Sequence, residues 1–294
     1  MKNLVNDVKR DTNYVLIGSG YIAPKHYQAI KNVGGNLVAF LDPHDSVGIV
    51  DSYFPNAQYF SEFERFDRYC SKRNDISYVS IYSPNHLHDA HCRFSMRIGA
   101  DPICEKPLVL KERNLAGLKE LEIATGQRVH TILQLRYNPI LVKLKKDFEN
   151  GLIDIETAFL KYYTPRGAWY NYSWKTNLEK SGGLITNIGI HLIDALCWIF
   201  GPCQEVLVSR STKDTVSGHF RFEKIEIHYT LSISMQFKSI RLLEIGNEKY
   251  ELSGNFKNLH DKSYANIING DSFGIEDVRE SIRVCEIARG KCLR

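Results

Sequence analysis

The first 134 residues alternate short apolar runs with stretches of helical spacing. Runs rich in β-branched and aromatic residues lie at 14–17, 37–41, 78–83, 102–104 and 129–134. Between them, 22–33, 61–72, 86–98 and 111–125 read as helices. The last of these carries Leu115, Leu118, Leu121 and Ile123 at roughly helical spacing. Strands that alternate with helices predict an α/β domain with a parallel sheet. After Gln134 the texture changes. A helix at Pro139–Glu149 leads into strand-like runs at 155–163, 205–208, 224–232 and 239–245, and a hairpin tip is expected at Asn247-Glu248, where Gly246-Asn247 supplies turn residues, before 250–252. These runs predict an α+β domain with a largely antiparallel, open sheet. The expected division is therefore 1–134 and 135–294.

Composition narrows the class. The 294 residues are 43% hydrophobic and 24% charged, which suits two ordinary globular domains and excludes disordered, collagen-like and disulfide-stapled chains. No apolar run approaches the roughly 18 residues of a membrane span, and the most apolar stretch, 192–200, contains Asp194. Residues 1–13 are polar and lack the apolar core of a secretory signal, so a cytoplasmic location is expected. Seven scattered cysteines include no Cys-x-x-Cys pair and offer neither a zinc site nor a redox motif. The net charge of +4 comes from interspersed signs. It is too small for a nucleic-acid footprint yet still favours a small anionic substrate.

Gly18-Ser19-Gly20-Tyr21-Ile22-Ala23 follows the first strand and opens the first helix. This is the G-x-G-x-x-G/A dinucleotide fingerprint in its proper setting, a Rossmann domain. Gly18 permits the tight turn, Gly20 lets the backbone approach a pyrophosphate, and the helix N-terminus favours its charge. Asp42 ends the second strand at the spacing where a carboxylate accepts ribose hydroxyls. Pro43, His44, Asp45 and Ser46 bring no Arg for a 2′-phosphate, so NAD is expected over NADP.

Glu105-Lys106-Pro107 follows the fifth strand, where doubly wound sheets bind their ligands. Pro107 restricts Lys106 to an extended conformation. Taken alone, Lys106 is a solvated turn lysine; beside a bound nicotinamide it becomes a group that acts on substrate. A second constellation runs from Ser181 to Asp194. Asn187, His191 and Asp194 fall at i, i+4 and i+7, on one face of an otherwise apolar helix. A polar stripe on a buried helix needs partners or a ligand. A core histidine bonded to Asp194 fits the same pattern, and no third metal ligand follows from the spacing. His86, His88 and His91 form a denser cluster after Ser83-Pro84-Asn85. It suits a metal, but it also sits where the sheet holds its cofactor, and we expect Ser83, Asn85 and His88 to make cofactor contacts.

With these residues the chain resembles the glucose–fructose oxidoreductase/inositol dehydrogenase family. The shared pieces are the 18–23 loop, Asp42, Ser83-Pro84-Asn85-His86-Leu87-His88, Glu105-Lys106-Pro107 and the segment 182–194. The resemblance implies that Lys106 and His191 flank the substrate carbon with the nicotinamide on the third side. The family commonly has aspartate where this chain has Asn187. An amide orients a hydroxyl but cannot take its proton, which leaves His191 or Lys106 as base. A narrower similarity, to bacterial UDP-N-acetylglucosaminuronate 3-dehydrogenases, rests on residues 132–136, 166–170, 173–175, 186–191, 259–264 and 270–277. It implies a UDP-linked uronic acid substrate in lipopolysaccharide O-antigen synthesis, hydride transfer from C3, no metal and a homo-oligomer, with a tetramer favoured. Arg136, Arg166 and Lys175 are then expected on the anionic groups of the substrate, with Asn187 and Asp194 beside it. Tyr21, Ile22, Glu105, Lys106, Gln134, Trp169 and Tyr170 join the expected cofactor contacts, although Trp169 and Tyr170 fit an ordinary core equally well. The segment 232–237 is shorter than the resemblance leads one to expect. Another sugar or inositol dehydrogenase of the same family, a non-catalytic NAD-dependent regulator and a purely structural oligomer remain as alternatives.

Overall fold

The computed structural model describes residues 12–45, 47–252 and 258–292; Ser46 lies outside them. Six strands form the N-terminal sheet: β1 (Thr12–Ile17), β2 (Gly35–Leu41), β3 (Gln58–Phe60), β4 (Ile76–Ile81), β5 (Asp101–Cys104) and β6 (His130–Thr131). They are ordered 3-2-1-4-5-6 and every neighbouring pair is parallel. Helices α1 (Ala23–Asn32), α2 (Phe63–Cys70), α3 (His88–Arg97) and α4 (Arg113–Thr125) make the crossovers. This is the Rossmann domain the alternating pattern predicted, and its strand order reverses between β1 and β4, where dinucleotides bind.

The second half begins with α5 (Pro139–Glu149) and β7 (Thr157–Tyr163). Three helices follow, α6 (Leu178–Ser181), α7 (Gly183–Asn187) and α8 (Ile190–Phe200). Then come β8 (Glu205–Ser211), β9 (Thr215–Arg221), β10 (Glu226–Ser232), β11 (Ile240–Ile245) and β12 (Glu248–Glu251). The sheet order is 12-11-7-10-9-8. All its pairs are antiparallel except β7 with β10. The hairpin tip falls at Gly246-Asn247, between the paired Ile245 and Glu248. One core lies between this sheet and α5, α7 and α8, with Leu192, Ile193, Leu196, Ile199 and Phe200 all buried. Each such side chain contributes roughly 1.5–3 kcal/mol by leaving water.

The chain then turns back. From α9 (Leu259–Ile268), Tyr264 and Ile267 join the core made by Tyr14, Leu16 and Tyr27. From α10 (Ile275–Cys292), Ile275, Val278 and Ile282 join the core on the other face of the first sheet. The Rossmann cores are therefore completed by residues from the far end of the sequence. No single helix among the described residues is long and apolar enough to cross a membrane.

The 182–194 segment departs from its expectation. It is not one helix: α7 ends at Asn187, α8 starts at Ile190, and the α6–α7 segment and α8 are bent by 50° at the break. Gly189 sits at this corner because a Cβ there would lie 2.4 Å from the Ile185 carbonyl oxygen and 2.7 Å from Leu231 of β10. Close packing on the sheet, rather than local propensity, breaks the helix. Asn187, His191 and Asp194 consequently do not share the single helix face that their spacing suggested.

Candidate active site

The cofactor end is built by the turn after β1. Gly18 adopts φ +95°, and a Cβ there would lie 2.8 Å from the backbone nitrogen of Ser83, so glycine is required twice over. Around Gly20 nothing comes within 4 Å of where a Cβ would stand, which leaves a bare backbone surface. The N-terminus of α1 has no side-chain cap, and Tyr21 is 94% exposed. An open, uncapped helix N-terminus beside a side-chain-free glycine fits a pyrophosphate. Asp42 is buried at the edge of this space, accepting N–H bonds from Ser19 at 2.6 Å and His44 at 2.9 Å. Its carboxylate is thereby fixed beside the loop. These residues fit NAD.

Ser83, Asn85 and His88 lie at the carboxyl end of β4, as expected, but their side chains are engaged by protein. Ser83 Oγ meets His91 Nδ1 at 2.8 Å. Asn85 donates to the Ser181 carbonyl at 2.8 Å and so ties this loop to the start of the substrate helices. His88 has Nδ1 2.7 Å from the Pro107 carbonyl and Nε2 2.8 Å from the Ser83 carbonyl. It clamps the two strand-end loops together. Glu105 is likewise turned inward: its Oε1 meets His26 Nε2 at 3.0 Å and His260 Nε2 at 3.3 Å, and its Oε2 accepts the Lys106 N–H at 3.2 Å. The side chains of Asn85, His88 and Glu105, all expected among the cofactor contacts, are thus bonded to protein partners, as buried polar groups require.

Lys106, joined to Pro107 by a cis peptide bond, lies at the end of β5. Burial lowers its pKa from 10.5, with the Glu105 charge opposing and Lys175 adding to the shift. His191, on the first turn of α8, is held well below 6.5, first by burial and then by the Lys106 charge. The two ends of the expected pair thus feel one another electrostatically. Near neutral pH the His191 imidazole is neutral.

Around this pair, Asn187 donates to the Tyr170 hydroxyl at 3.0 Å, and Trp169 stands edge-on to Tyr170 while remaining 54% exposed. Lys175 Nζ lies 5.4 Å from the Trp169 ring centre. Among the buried side-chain polar atoms without a hydrogen-bond partner are Gln134 Oε1, Arg166 Nε and Thr186 Oγ1. Orphaned buried groups of this kind need water or a ligand. Two cavities adjoin Tyr170. One of about 250 Å³ is lined by Lys175, Lys213 and Arg289, and the other, of about 390 Å³, by Arg166 and Lys213. Lys213 follows β8 in a turn, and nothing in its sequence context marked it.

Arg136 and Asp194, both expected beside the substrate, are paired with each other. Arg136 gives Nε and Nη2 to the two carboxylate oxygens of Asp194 at 3.0 and 2.8 Å, and Nη2 also reaches the Asp277 carbonyl at 2.6 Å. Burial pushes the Asp194 carboxyl up while Arg136 pulls it down. Sequence spacing also missed two clusters of histidine and carboxylate, His26–Glu105–His260 and His219–Glu226–His228, each assembled across different elements.

Fold and site together define a two-domain oxidoreductase with an NAD-binding Rossmann half. The chain belongs to the Gfo/Idh/MocA oxidoreductase family: residues 12–133 match its NAD-binding Rossmann fold and residues 152–284 its C-terminal alpha/beta domain. It is similar to the WlbA (WbpB) dehydrogenase of Thermus thermophilus, solved with NAD and UDP-GlcNAcA, at 42% identity. That match covers 95% of this chain and 94% of the other, with a TM-score of 0.90. The same Thermus protein has been solved with NAD and alpha-ketoglutarate. The WlbA dehydrogenase of Bordetella pertussis shares the fold at 18% identity, over 97% of this chain and 96% of that one, with a TM-score of 0.81. Among curated relatives, glucose-6-phosphate 3-dehydrogenase of Bacillus subtilis is 24% identical over 63% of this chain and 53% of that protein. The chain spans 38% to 62% of the length of the first curated relatives it matches.

Proposed function

We propose that the chain oxidises the 3-hydroxyl of UDP-N-acetylglucosaminuronic acid to the 3-keto sugar. The observation that carries the reading is that Lys106, at the carboxyl end of the Rossmann sheet, lies close enough to His191 of α8 for its charge to lower the pKa of the imidazole. NAD, when bound against the 18–23 loop, supplies the nicotinamide that accepts hydride from carbon. The alcohol must also lose a proton, and a neutral His191 takes it as general base. Lys106 stabilises the charge that develops on the oxygen. Asn187 orients the hydroxyl and cannot serve as base.

The substrate carries a diphosphate and a carboxylate. Arg166, Lys175 and Lys213 offer cations along the two cavities beside Tyr170, and the orphaned Arg166 Nε is suited to an oxyanion. The Thermus relative's complex with NAD and UDP-GlcNAcA supports this sugar nucleotide as substrate. In this reading the product feeds synthesis of diacetamido-uronic acid sugars for O-antigen, in the cytoplasm. The chain works as a homotetramer, with the open face of the second sheet as a packing surface.

The test is NAD reduction with purified protein and UDP-N-acetylglucosaminuronic acid, UDP-N-acetylglucosamine, free N-acetylglucosamine or myo-inositol. Reduction with the UDP-uronic acid alone supports the reading. Turnover of a free sugar or inositol replaces it with another dehydrogenase of the family, and reduction with none of them favours a non-catalytic role.

A further inference from the structure

Three side chains from distant parts of the chain meet directly behind Lys106. Glu105, at the end of β5, is 6% exposed, His26 of α1 is 0% and His260 of α9 is 5%. A carboxylate oxygen only accepts hydrogen bonds, so the contacts to Glu105 Oε1 at 3.0 and 3.3 Å require an N–H on both Nε2 atoms. His26 Nδ1 is then an acceptor, and it faces the Tyr264 hydroxyl at 3.1 Å. Tyr264 in turn meets Ser80 Oγ at 3.0 Å and the Tyr82 hydroxyl at 2.8 Å. The His26 ring stacks on Tyr82 with centroids 3.8 Å apart and stands edge-on to His260. Each polar atom in the chain of contacts has a partner of the right sense, which is the condition for keeping a buried carboxylate ionised. The second carboxylate oxygen accepts the main-chain N–H of Lys106 itself at 3.2 Å.

We propose that His26 and His260 are positioning residues that hold the Glu105 carboxylate ionised and in place as the fixed counter-charge behind Lys106. The inference rests on the proposed role of Lys106 and extends it to residues that touch neither substrate nor cofactor. The Lys175 charge acts on Lys106, the charges of Lys106 and Arg241 of β11 act on His191 of α8, and Lys25 of α1 acts on His26 from its own helix. Tyr82 and Tyr264 are neutral, burial holding both hydroxyls above their ordinary range. The Glu105 charge favours the protonated forms of both Lys106 and His191, and burial together with the surrounding cations favours the neutral ones. Without Glu105, nothing among these neighbours opposes the cations, and Lys106 gives up its proton at lower pH. Because α9 follows the second sheet in sequence, His260 makes the far end of the chain part of the support of the lysine.

The direct test reads Lys106 without using the reaction. Competitive labelling of lysine amines with acetic anhydride across pH, with mass spectrometry of the peptide that contains Lys106, gives the pH at which this amine becomes reactive. The Glu105→Gln variant keeps the shape and removes the charge, and its reactivity midpoint is expected to fall by at least about one pH unit, a tenfold change in proton affinity. His260→Ala should shift it in the same direction by less, and His260→Gln, which retains an N–H donor, should restore the wild-type midpoint. Thermal unfolding of each variant separates these shifts from misfolding, and the histidine variants supply the test if Glu105→Gln does not fold. An unchanged midpoint in folded Glu105→Gln and His260→Ala overturns the proposal. So does a stoichiometric metal ion on His26, Glu105 and His260 in the purified protein, since the two N–H donors would then be gone. Because labelling needs no sugar, a failed assignment of the substrate leaves this result readable.

Discussion

The guanidinium of Arg136 and the carboxylate of Asp194 face each other as a two-pronged pair, Nη2–Oδ1 at 2.8 Å and Nε–Oδ2 at 3.0 Å, both side chains buried. The pair joins the turn after β6 to α8, and the Asp277 carbonyl extends it to α10. Removing Asp194 leaves the buried Arg136 charge with only the longer Asp277 Oδ1 contact at 3.4 Å, which costs up to about 3–5 kcal/mol. Asp194→Ala is expected to lose stability on that scale in denaturant unfolding, with the KM for the sugar unchanged in protein that remains folded. A raised KM at unchanged stability would return the pair to the substrate.

Gly18 and Gly20 separate folding from cofactor binding. A methyl group at Gly18 collides with the β4 end and demands a left-handed backbone, whereas one at Gly20 meets no protein atom. Gly18→Ala should therefore lower the thermal midpoint. Gly20→Ala should leave the midpoint in place and weaken NAD binding at least about tenfold, on the order of 1.4 kcal/mol, when both are followed by calorimetry.

Lys106→Met removes the charge on the substrate oxygen and keeps the bulk of the side chain. We expect kcat to fall about 10²–10⁴-fold while the Kd for NAD stays within a factor of about two, because the dinucleotide loop is separate from the lysine. Steady-state kinetics and cofactor titration check the two halves. Retained turnover would remove Lys106 from the chemistry.

The pH profile follows from the two shifted groups. His191 must be neutral to accept a proton, and its pKa lies well below 6.5. Activity is therefore lost as pH falls through a limb below 6.5. Lys106 must be charged, and its pKa is lowered from 10.5, so activity is lost as pH rises through a limb below that value. A kcat profile with a plateau between these limbs is expected. An acid limb at or above pH 6.5 would point to a base other than a buried histidine.

The nucleotide end was legible in the sequence because its determinants are contiguous: Gly18, Gly20 and Asp42 follow directly from strands with clear hydrophobic runs. Lys106 was legible for the same reason. What spacing could not show was set by packing over long separations. The break between α7 and α8 depends on Leu231 of β10 pressing against Gly189, so helical periodicity placed Asn187 and Asp194 on a face that does not exist. Asp194 pairs with a residue 58 positions away, and Glu105 with histidines 79 and 155 positions away. Lys213 lies in a two-strand turn of ordinary polar composition and shows its charge to a cavity only through the fold. The short β3 and the weakly apolar β9 were invisible to periodicity, having three residues in one case and a central Gly218 in the other.

The central claim is that this chain takes hydride from C3 of a UDP-linked uronic acid. It is tested most directly with UDP-N-acetylglucosaminuronic acid carrying deuterium at C3, incubated with the protein and NAD and followed by mass spectrometry of both products. The deuterium is expected in the reduced cofactor and the sugar nucleotide is expected to emerge as its 3-ketone. A reduced cofactor without deuterium, or a sugar nucleotide that is returned unchanged, would contradict it.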